Sequence, residues 1–195
     1  MDHSNHALAT RFLDVVEHDI IPLTREGVER GDKVFGGAIL QKSDLSLVIS
    51  ATNRETLNPL FHGEVATLNA FFALPESARP VPADCLFLST HEPCSMCLSA
   101  ITWAGFDNFV YLFGYEDTRD AFNIPHDLKI LSEVFRIRNG QYARHNAFWR
   151  SQSIGDLIGD KNEELEMRVR YVKSLYDDLS TVYQSSKRSS NIPLS

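Results

Sequence analysis

HGE at positions 62–64 and PCSMC at positions 93–97 are the most informative runs of this sequence. Together they supply three side chains of the kind that bind zinc, His62, Cys94 and Cys97, and one additional carboxylate, Glu64. Structural zinc sites normally have four protein ligands, whereas hydrolytic sites have three and leave the fourth position to water. The third cysteine, Cys85, does not belong to a second CxxC pair that could complete a structural site. The two runs therefore predict a catalytic metal site with three protein ligands.

The spacing within each run indicates how these side chains are arranged. Cys94 and Cys97 are three residues apart, so both thiols face one side of a helix that begins near Pro93. Unpaired N–H groups and the helix dipole favour the thiolate form there, which is the form that binds zinc. His62 and Glu64 are two residues apart and point in different directions on a helix. We therefore expect His62 to bind the metal, and Glu64 to hold a water molecule and move its protons.

The same runs resemble the H-x-E and P-C-x-x-C signature of the zinc-dependent cytidine and nucleobase deaminase superfamily. Asn53, followed by NPLFHGEV at 58–65, is similar to the asparagine and D-P-T-A-H-A-E stretch of bacterial members. HGEVATL at 62–68 is similar to the H-G-E-x-x-T-L run of fungal cytosine deaminase. AITWA at 100–104 resembles the A-I-Y-W-A run of bacterial guanine deaminases, and the resemblance as a whole covers about residues 33–135.

This resemblance implies hydrolytic deamination of a small amino-heterocycle by water, with one zinc ion per chain and release of ammonia. The H-G-E run is similar to cytosine deaminase, whereas the AITWA run and the position of Asp127 are similar to guanine deaminase. The expected substrate is therefore a free nucleobase of the guanine or cytosine type. A nucleoside or transfer-RNA adenosine deaminase is an alternative, and so is a non-catalytic zinc-binding partner subunit. Partners of that kind typically lose the catalytic glutamate, whereas this chain retains Glu64.

Further site residues are predicted around the motifs. Asp127 lies at the offset of an acidic residue that shuttles protons in guanine deaminases, and a helix cap or surface carboxylate is the alternative for it. The residues predicted to bind the substrate are Asn53, Phe61, Gly63, Glu92 and Trp103. By resemblance, the asparagine amide bonds a ring heteroatom, and a cap or turn before Pro59 is the alternative for it. The glycine and the glutamate are expected to act through main-chain groups. The two aromatic residues adjoin the motifs and are expected in the pocket wall, with packing in the core as the alternative.

The apolar pattern predicts the elements that carry these motifs. Helices are predicted at 6–16, 24–30, 64–74 and 94–104, and strands at 34–40, 45–50, 85–89 and 109–113. The alternation of strand and helix favours a three-layer α/β/α sandwich, and the resemblance implies one of the cytidine deaminase type. We expect a single domain over residues 1–184, with its core at about 33–135 and a C-terminal helical extension at about 150–184.

One more helix is predicted near the C-terminus. From Lys161 to about Tyr183, apolar residues recur at spacings of three and four, which places one apolar stripe on a charged helix. The stripe could pack on the chain's own core or on a second subunit. The resemblance implies an oligomer, and we expect a homodimer. The serine-rich segment 185–195 is expected to be disordered.

The composition indicates a compact soluble enzyme. The 195 residues are 43% hydrophobic and 23% charged, which is enough for one substantial core. No apolar stretch is long enough to span a membrane, and residues 1–6 lack the features of a signal peptide. Three cysteines, two of them assigned to the metal, indicate a reducing compartment, so we expect a cytoplasmic location. A net charge of −7 with scattered Lys and Arg argues against general nucleic-acid binding.

Overall fold

The computed structural model describes residues 3–159, 162–187 and 192–194. Its α-helices are α1 (Asn5–Val15), α2 (Ile21–Glu29), α3 (Gly63–Phe72), α4 (Ser95–Trp103), α5 (Tyr115–Asp120), α6 (His126–Phe135), α7 (Ile154–Ile158) and α8 (Glu163–Ser186). Its β-strands are β1 (Gly36–Gln41), β2 (Leu47–Thr52), β3 (Cys85–His91), β4 (Asn108–Phe113) and β5 (Arg150–Ser153). A π-helical turn, Val16–Ile20, joins α1 to α2. None of the helices in the described ranges is long and apolar enough to cross a membrane.

The described strands form one mixed sheet in the order β2-β1-β3-β4-β5. β1 is antiparallel to β2 and to β3, and a short turn after Gln41 joins β1 to β2. β3, β4 and β5 run parallel, with Leu88 paired to Val110 and Tyr111 paired to Ser153. Parallel neighbours need a crossover connection, which α4 provides between β3 and β4. The carboxyl end of β3 therefore leads into the PCSMC run.

Helices cover both faces of the sheet, and the alternation of side chains along β1 shows the two layers. Ala38 and Leu40 belong to a core cluster shared with α1, α2 and α8. Ile39, between them, belongs to a second cluster that contains Phe71 of α3 and Ile101 of α4. The structure thus confirms the three-layer α/β/α sandwich, with the motif-bearing helices together on one face.

α8 lies in the first layer and packs on α1, α2 and α7. Its apolar stripe is buried, because each of the following residues is at most 4% exposed: Leu165, Val172, Tyr176, Leu179 and Tyr183. The stripe therefore packs on the chain's own core, as the first of the two sequence-based alternatives supposes. The expected homodimer draws no support from this helix and stays a prediction.

Three elements between residues 114 and 153 were not predicted from the sequence, namely α5, α6 and β5. The predicted helical extension at about 150–184 contains α7 and α8, but its first residues form β5 instead of a helix. No element was predicted for segment 114–125, and α5 occupies its first half. β5 consists of RSQS and contains no apolar residue, so it gives no alternation signal. These short elements depend on their neighbours for stability, which is why the local pattern does not reveal them.

The expected disordered tail, residues 185–195, falls partly outside the described residues, which omit 188–191 and 195. Residues 185 and 186 belong to α8. Ile192 is 6% exposed, and it lines a cavity together with Pro193 and Leu194. The described part of the tail is therefore packed against the rest of the chain.

Candidate active site

The starts of two helices bring the motif residues together. His62 is the N-cap residue of α3, and Cys94 is the N-cap residue of α4. Cys97 lies one turn into α4, and its Sγ atom is 3.5 Å from Cys94 Sγ. α3 and α4 pack against each other, so the HGE and PCSMC runs form one cluster.

Gly63 sets how closely α3 approaches the sheet. A Cβ atom at this position would lie 2.7 Å from the backbone nitrogen of Gly36 and 2.8 Å from the carbonyl carbon of Phe35. Backbone atoms of a central strand cannot move aside cheaply, so the position requires a residue without a side chain. The middle residue of the HGE run thereby fixes the depth of its two functional neighbours, His62 and Glu64.

The three predicted ligands have the geometry of a zinc site. The ligand atoms of His62, Cys94 and Cys97 all lie within 4.8 Å of one another. His62 Nδ1 is 3.5 Å from Cys94 Sγ, the same separation as between the two sulfur atoms. A tetrahedral zinc with Zn–S of about 2.3 Å and Zn–N of about 2.0 Å has ligand–ligand edges of about 3.5–3.8 Å. Two thiols and an imidazole at these separations therefore fit zinc.

Contacts among the three ligand side chains shift their pKa values. Burial alone would lower the pKa of His62, but the hydrogen bond and charge of Cys94 and the neighbouring carboxylates raise it to about 9. Hydrogen bonding from Cys97, and then from His62, lowers the pKa of Cys94 well below that of a free thiol. Burial raises the pKa of Cys97. Because the raised pKa values leave a proton on both His62 and Cys97 at neutral pH, a metal ion must displace these protons to bind.

Glu64 lies in the first turn of α3 beside this cluster and is 5% exposed. Burial, followed by the charge of Cys94, raises the pKa of its carboxyl group. The hydroxyl of Ser89, on β3, donates a hydrogen bond to Glu64 Oε1 at 3.1 Å. Glu64 is therefore a fixed carboxyl group that can gain and lose a proton next to the metal ligands.

The cluster opens into a cavity of about 250 Å³. Its polar lining comes from Lys33, Glu55, His62, Cys94, Ser95, His126 and Asp127, and its apolar lining from Phe35, Pro59, Leu60, Met96, Ile124, Ile130, Ile192, Pro193 and Leu194. Pockets for drug-sized ligands usually measure about 300–1,000 Å³. The cavity therefore suits a single small molecule with a few polar edges.

Asp127 lies in this cavity wall, in the first turn of α6. Burial, followed by the charge of Cys94, raises its pKa to about 8. The N-cap residue of α6 is Pro125, and no side chain caps this helix. Asp127 is therefore a buried carboxyl group in the cavity wall and not the helix cap that was one alternative for it, and its role in proton transfer stays a prediction.

Asn53 is fully buried, and protein groups occupy its polar atoms. Its Nδ2 donates to Glu55 Oε2 at 2.6 Å, and its Oδ1 accepts from the backbone N–H groups of Lys33 and Glu55. It is not among the residues that line the cavity. Asn53 therefore holds Glu55 in place and turns the chain there, as its alternative supposes, and its bond to a ring heteroatom stays a prediction.

The two aromatic residues predicted to line the pocket lie elsewhere. Phe61 lines an open groove of about 630 Å³ between α2, β2 and α3. Trp103 is 90% exposed, at the opposite end of α4 from Cys94. Trp103 is six residues beyond Cys97, so the rise of the helix carries it about 9 Å along α4 from that cysteine. Phe61 precedes α3, and its side chain contributes to the groove and not to the cavity.

Glu92 is 3% exposed and supports the PCSMC run through hydrogen bonds of its carboxylate. Its carboxylate accepts hydrogen bonds from Tyr142 Oη and Arg144 Nη2, both at 2.9 Å, and from the Tyr115 N–H at 3.2 Å. Tyr115 Oη in turn donates to the Pro93 carbonyl at 2.6 Å. The Glu92 side chain therefore ties segment 142–144 and the start of α5 to the turn before Cys94.

Lys33 and Glu55 line the cavity but were not predicted from the sequence. Both are charged residues that are nearly fully buried, at 3% and 4% exposed. Lys33 precedes β1 and Glu55 follows β2, so pairing of these strands brings the two side chains together. Such positions carry no motif signal, because the burial that distinguishes them exists only in the folded chain.

Comparison with known proteins agrees with this site. Residues 20–113, which include His62, Glu64, Cys94 and Cys97, match the family described as the cytidine and deoxycytidylate deaminase zinc-binding region. This match confirms the resemblance read from the two runs. Among curated protein sequences, none matches the chain.

Solved structures share the fold. A guanine deaminase from Nitrosomonas europaea is similar with a TM-score of 0.54 and 15% identity, over 83% of this chain and 81% of that chain. A mutant of the protein NE0047 in complex with 8-azaguanine is similar with a TM-score of 0.57 and 16% identity, over 87% and 86% of the two chains. At these identities the likeness establishes the fold alone.

Proposed function

We propose that this protein is a zinc-dependent hydrolase that removes an amino group from a small amino-heterocycle as ammonia. The observation that carries the proposal is the His62, Cys94 and Cys97 cluster, with Glu64 beside it, which opens into a small cavity. When bound by these three ligands, zinc would supply a Lewis acid that lowers the pKa of water toward about 7. The proposed content is one zinc ion per chain.

The chain's own residues account for the proton transfers of such a reaction. Water adds to the ring carbon that carries the amine, and the C–N bond to the amine then breaks. Glu64 takes a proton from the water and returns protons to the ring nitrogen and to the leaving ammonia. Asp127, in the same cavity wall with its pKa raised to about 8, is the second proton carrier. The apolar lining keeps bulk water from the reacting atoms.

A free nucleobase of the guanine or cytosine type is the proposed substrate class. The cavity of about 250 Å³ accommodates a base better than a nucleotide within a polymer. The net charge of −7 also disfavours transfer RNA, the alternative partner, because phosphate contacts need clustered cations. Retention of Glu64 disfavours a non-catalytic zinc-binding subunit. A cytoplasmic location and a homodimer remain part of the proposal.

Ammonia release from a panel of substrates tests this function. The zinc-loaded protein is incubated with guanine, cytosine, adenine, their nucleosides and related aminopyrimidines, triazines and pterins. We expect one or a few free bases to release ammonia at rates well above those of nucleosides. Activity on transfer RNA with none on free heterocycles would replace the proposed substrate by the alternative. If the zinc-loaded protein released ammonia from none of the substrates, the alternative of a non-catalytic zinc-binding subunit would be favoured.

A further inference from the structure

Lys33 and Glu55 form a buried ion pair in the wall of the cavity. Lys33 Nζ lies 3.0 Å from Glu55 Oε1, and both residues are less than 5% exposed. Removing two charges from water is costly, and the mutual attraction of such a pair often fails to repay that cost. A buried pair at a cavity wall therefore calls for an explanation other than stability.

Glu55 already has a protein partner on each carboxylate oxygen. Oε1 accepts from Lys33 Nζ and lies 3.5 Å from His62 Nε2, while Oε2 accepts from Asn53 Nδ2 at 2.6 Å. The backbone N–H of Glu55 also donates to Asn53 Oδ1 at 3.0 Å. This carboxylate is fixed from several sides, and it links the wall of the cavity to a metal ligand.

Lys33 has donors to spare. An ammonium group carries three N–H donors, and within residues 3–159, 162–187 and 192–194 Glu55 is the one side chain to which the structure shows Nζ donating. The adjoining cavity lining is mostly apolar, with Phe35, Ile124 and Ile192 among its residues. A buried charged donor without an acceptor costs free energy, so a ligand that brings an acceptor into this cavity gains an interaction.

We propose that Lys33 determines substrate specificity by donating a hydrogen bond to an exocyclic carbonyl oxygen of the amino-heterocycle. The inference rests on the proposed function and narrows its substrate class to oxo-substituted amino-heterocycles. Lys33 and Glu55 together are neutral, so this part of the cavity wall offers no net positive charge to an anionic ligand. A neutral carbonyl oxygen, in contrast, needs only one of the spare N–H donors of Lys33. Asn53 and Glu55 act as positioning residues that hold the ammonium group.

Matched pairs of heterocycles that differ only in the oxo group test this role. The pairs are guanine with 2-aminopurine and cytosine with 4-aminopyrimidine. In the wild-type protein we expect kcat/KM to favour the oxo member of the accepted pair by about 10- to 100-fold, the range of a hydrogen bond to a charged group. Lys33→Met should remove that preference and leave zinc content unchanged. Lys129→Met, on the exposed side of α6, is the matched control and should keep the preference.

Two further measurements separate this inference from the proposed function and from misfolding. Calorimetric binding of both members of each pair to zinc-loaded Glu64→Gln, with and without Lys33→Met, reports recognition without turnover. Lys33-dependent preference in binding with no ammonia release in any variant would sustain the recognition role and overturn the deaminase function. The double variant Lys33→Met/Glu55→Gln leaves no unpaired charge from this ion pair. It should lose the preference for the oxo member to the same extent as Lys33→Met. An unchanged preference in either folded, zinc-containing variant would overturn the inference.

Discussion

The three cysteines of this chain differ in their surroundings, and the difference predicts their roles. Cys94 and Cys97 face His62 at metal-ligand separations, whereas Cys85 is buried in β3 and its thiol lies 3.5 Å from the Val81 carbonyl. We expect Cys97→Ala to lose zinc, because two ligands bind it far more weakly than three. Cys85→Ala is the control and should retain one zinc per chain by elemental analysis. Full zinc content in Cys97→Ala would remove the cysteine from the ligand set.

The affinity for zinc should rise with pH. His62 has a pKa of about 9 and the pKa of Cys97 is raised, so both hold protons at neutral pH that a metal ion must displace. Because protons compete with the metal below about pH 9, each increase in pH removes competition. We expect the dissociation constant to fall by more than about 10-fold per unit between pH 6.5 and 8.5, measured against a chelator of known pH dependence. A dissociation constant independent of pH would show that the ligands are deprotonated before zinc binds.

Among the elements, the contact of α3 with β1 is set by Gly63. A Cβ there would approach the backbone of Gly36 to 2.7 Å, so Gly63→Ala must displace the helix. We expect a loss of about 1–3 kcal/mol in the free energy of unfolding, together with weaker zinc binding, by denaturant titration of the zinc-free and zinc-loaded forms. Gly155→Ala in α7 is the control, because its added Cβ would come no closer than 3.4 Å to its neighbour. Equal stability of the two variants would refute the close-contact explanation.

The C-terminal helix α8 should contribute to stability through its buried stripe. Leu179 is 2% exposed and Val182 is 45% exposed on the same helix. We predict that Leu179→Ala costs about 2–5 kcal/mol of unfolding free energy, whereas Val182→Ala stays within about 0.5 kcal/mol of wild type. Thermal and denaturant unfolding measure both changes. If neither variant changed the free energy of unfolding, α8 would not be part of the cooperative folding unit.

Elements with a regular apolar pattern were predictable from the sequence, and short polar ones were not. The apolar runs at 34–40 and 109–113 are continuous because both faces of β1 and β4 are buried. The stripe of α8 carries the helical periodicity that burial on one face requires. The starts of α3 and α4 were predictable because motif spacing and Pro93 mark them. β5 is held by pairing with β4, a contact between distant parts of the chain that leaves no mark on its four residues.

At the scale of the whole molecule, the cavity joins segments that the sequence keeps apart. Its wall includes Lys33 before β1, Glu55 after β2, Asp127 of α6 and Ile192 near the C-terminus. The three metal ligands and Glu64 could be predicted because they belong to two short runs, HGE and PCSMC, whose spacing is typical of such sites. The remaining wall residues depend on how β1, β2, α6 and the tail meet, which is information carried by tertiary packing. Resemblance and adjacency to a motif carry no such information. The three residues chosen on those grounds, Asn53, Phe61 and Trp103, are not among those that line the cavity.

The central claim is that a metal held by three ligands acts with Glu64 to release ammonia, and Glu64→Gln tests it most directly. Zinc content and ammonia release are measured together on the best substrate for wild type, for Glu64→Gln and for the exposed control Glu133→Gln of α6. We predict that Glu64→Gln retains one zinc per chain and loses about 10²–10⁴-fold in turnover, because a positioned acid and base contributes that much. Wild-type turnover in zinc-loaded Glu64→Gln would contradict the account.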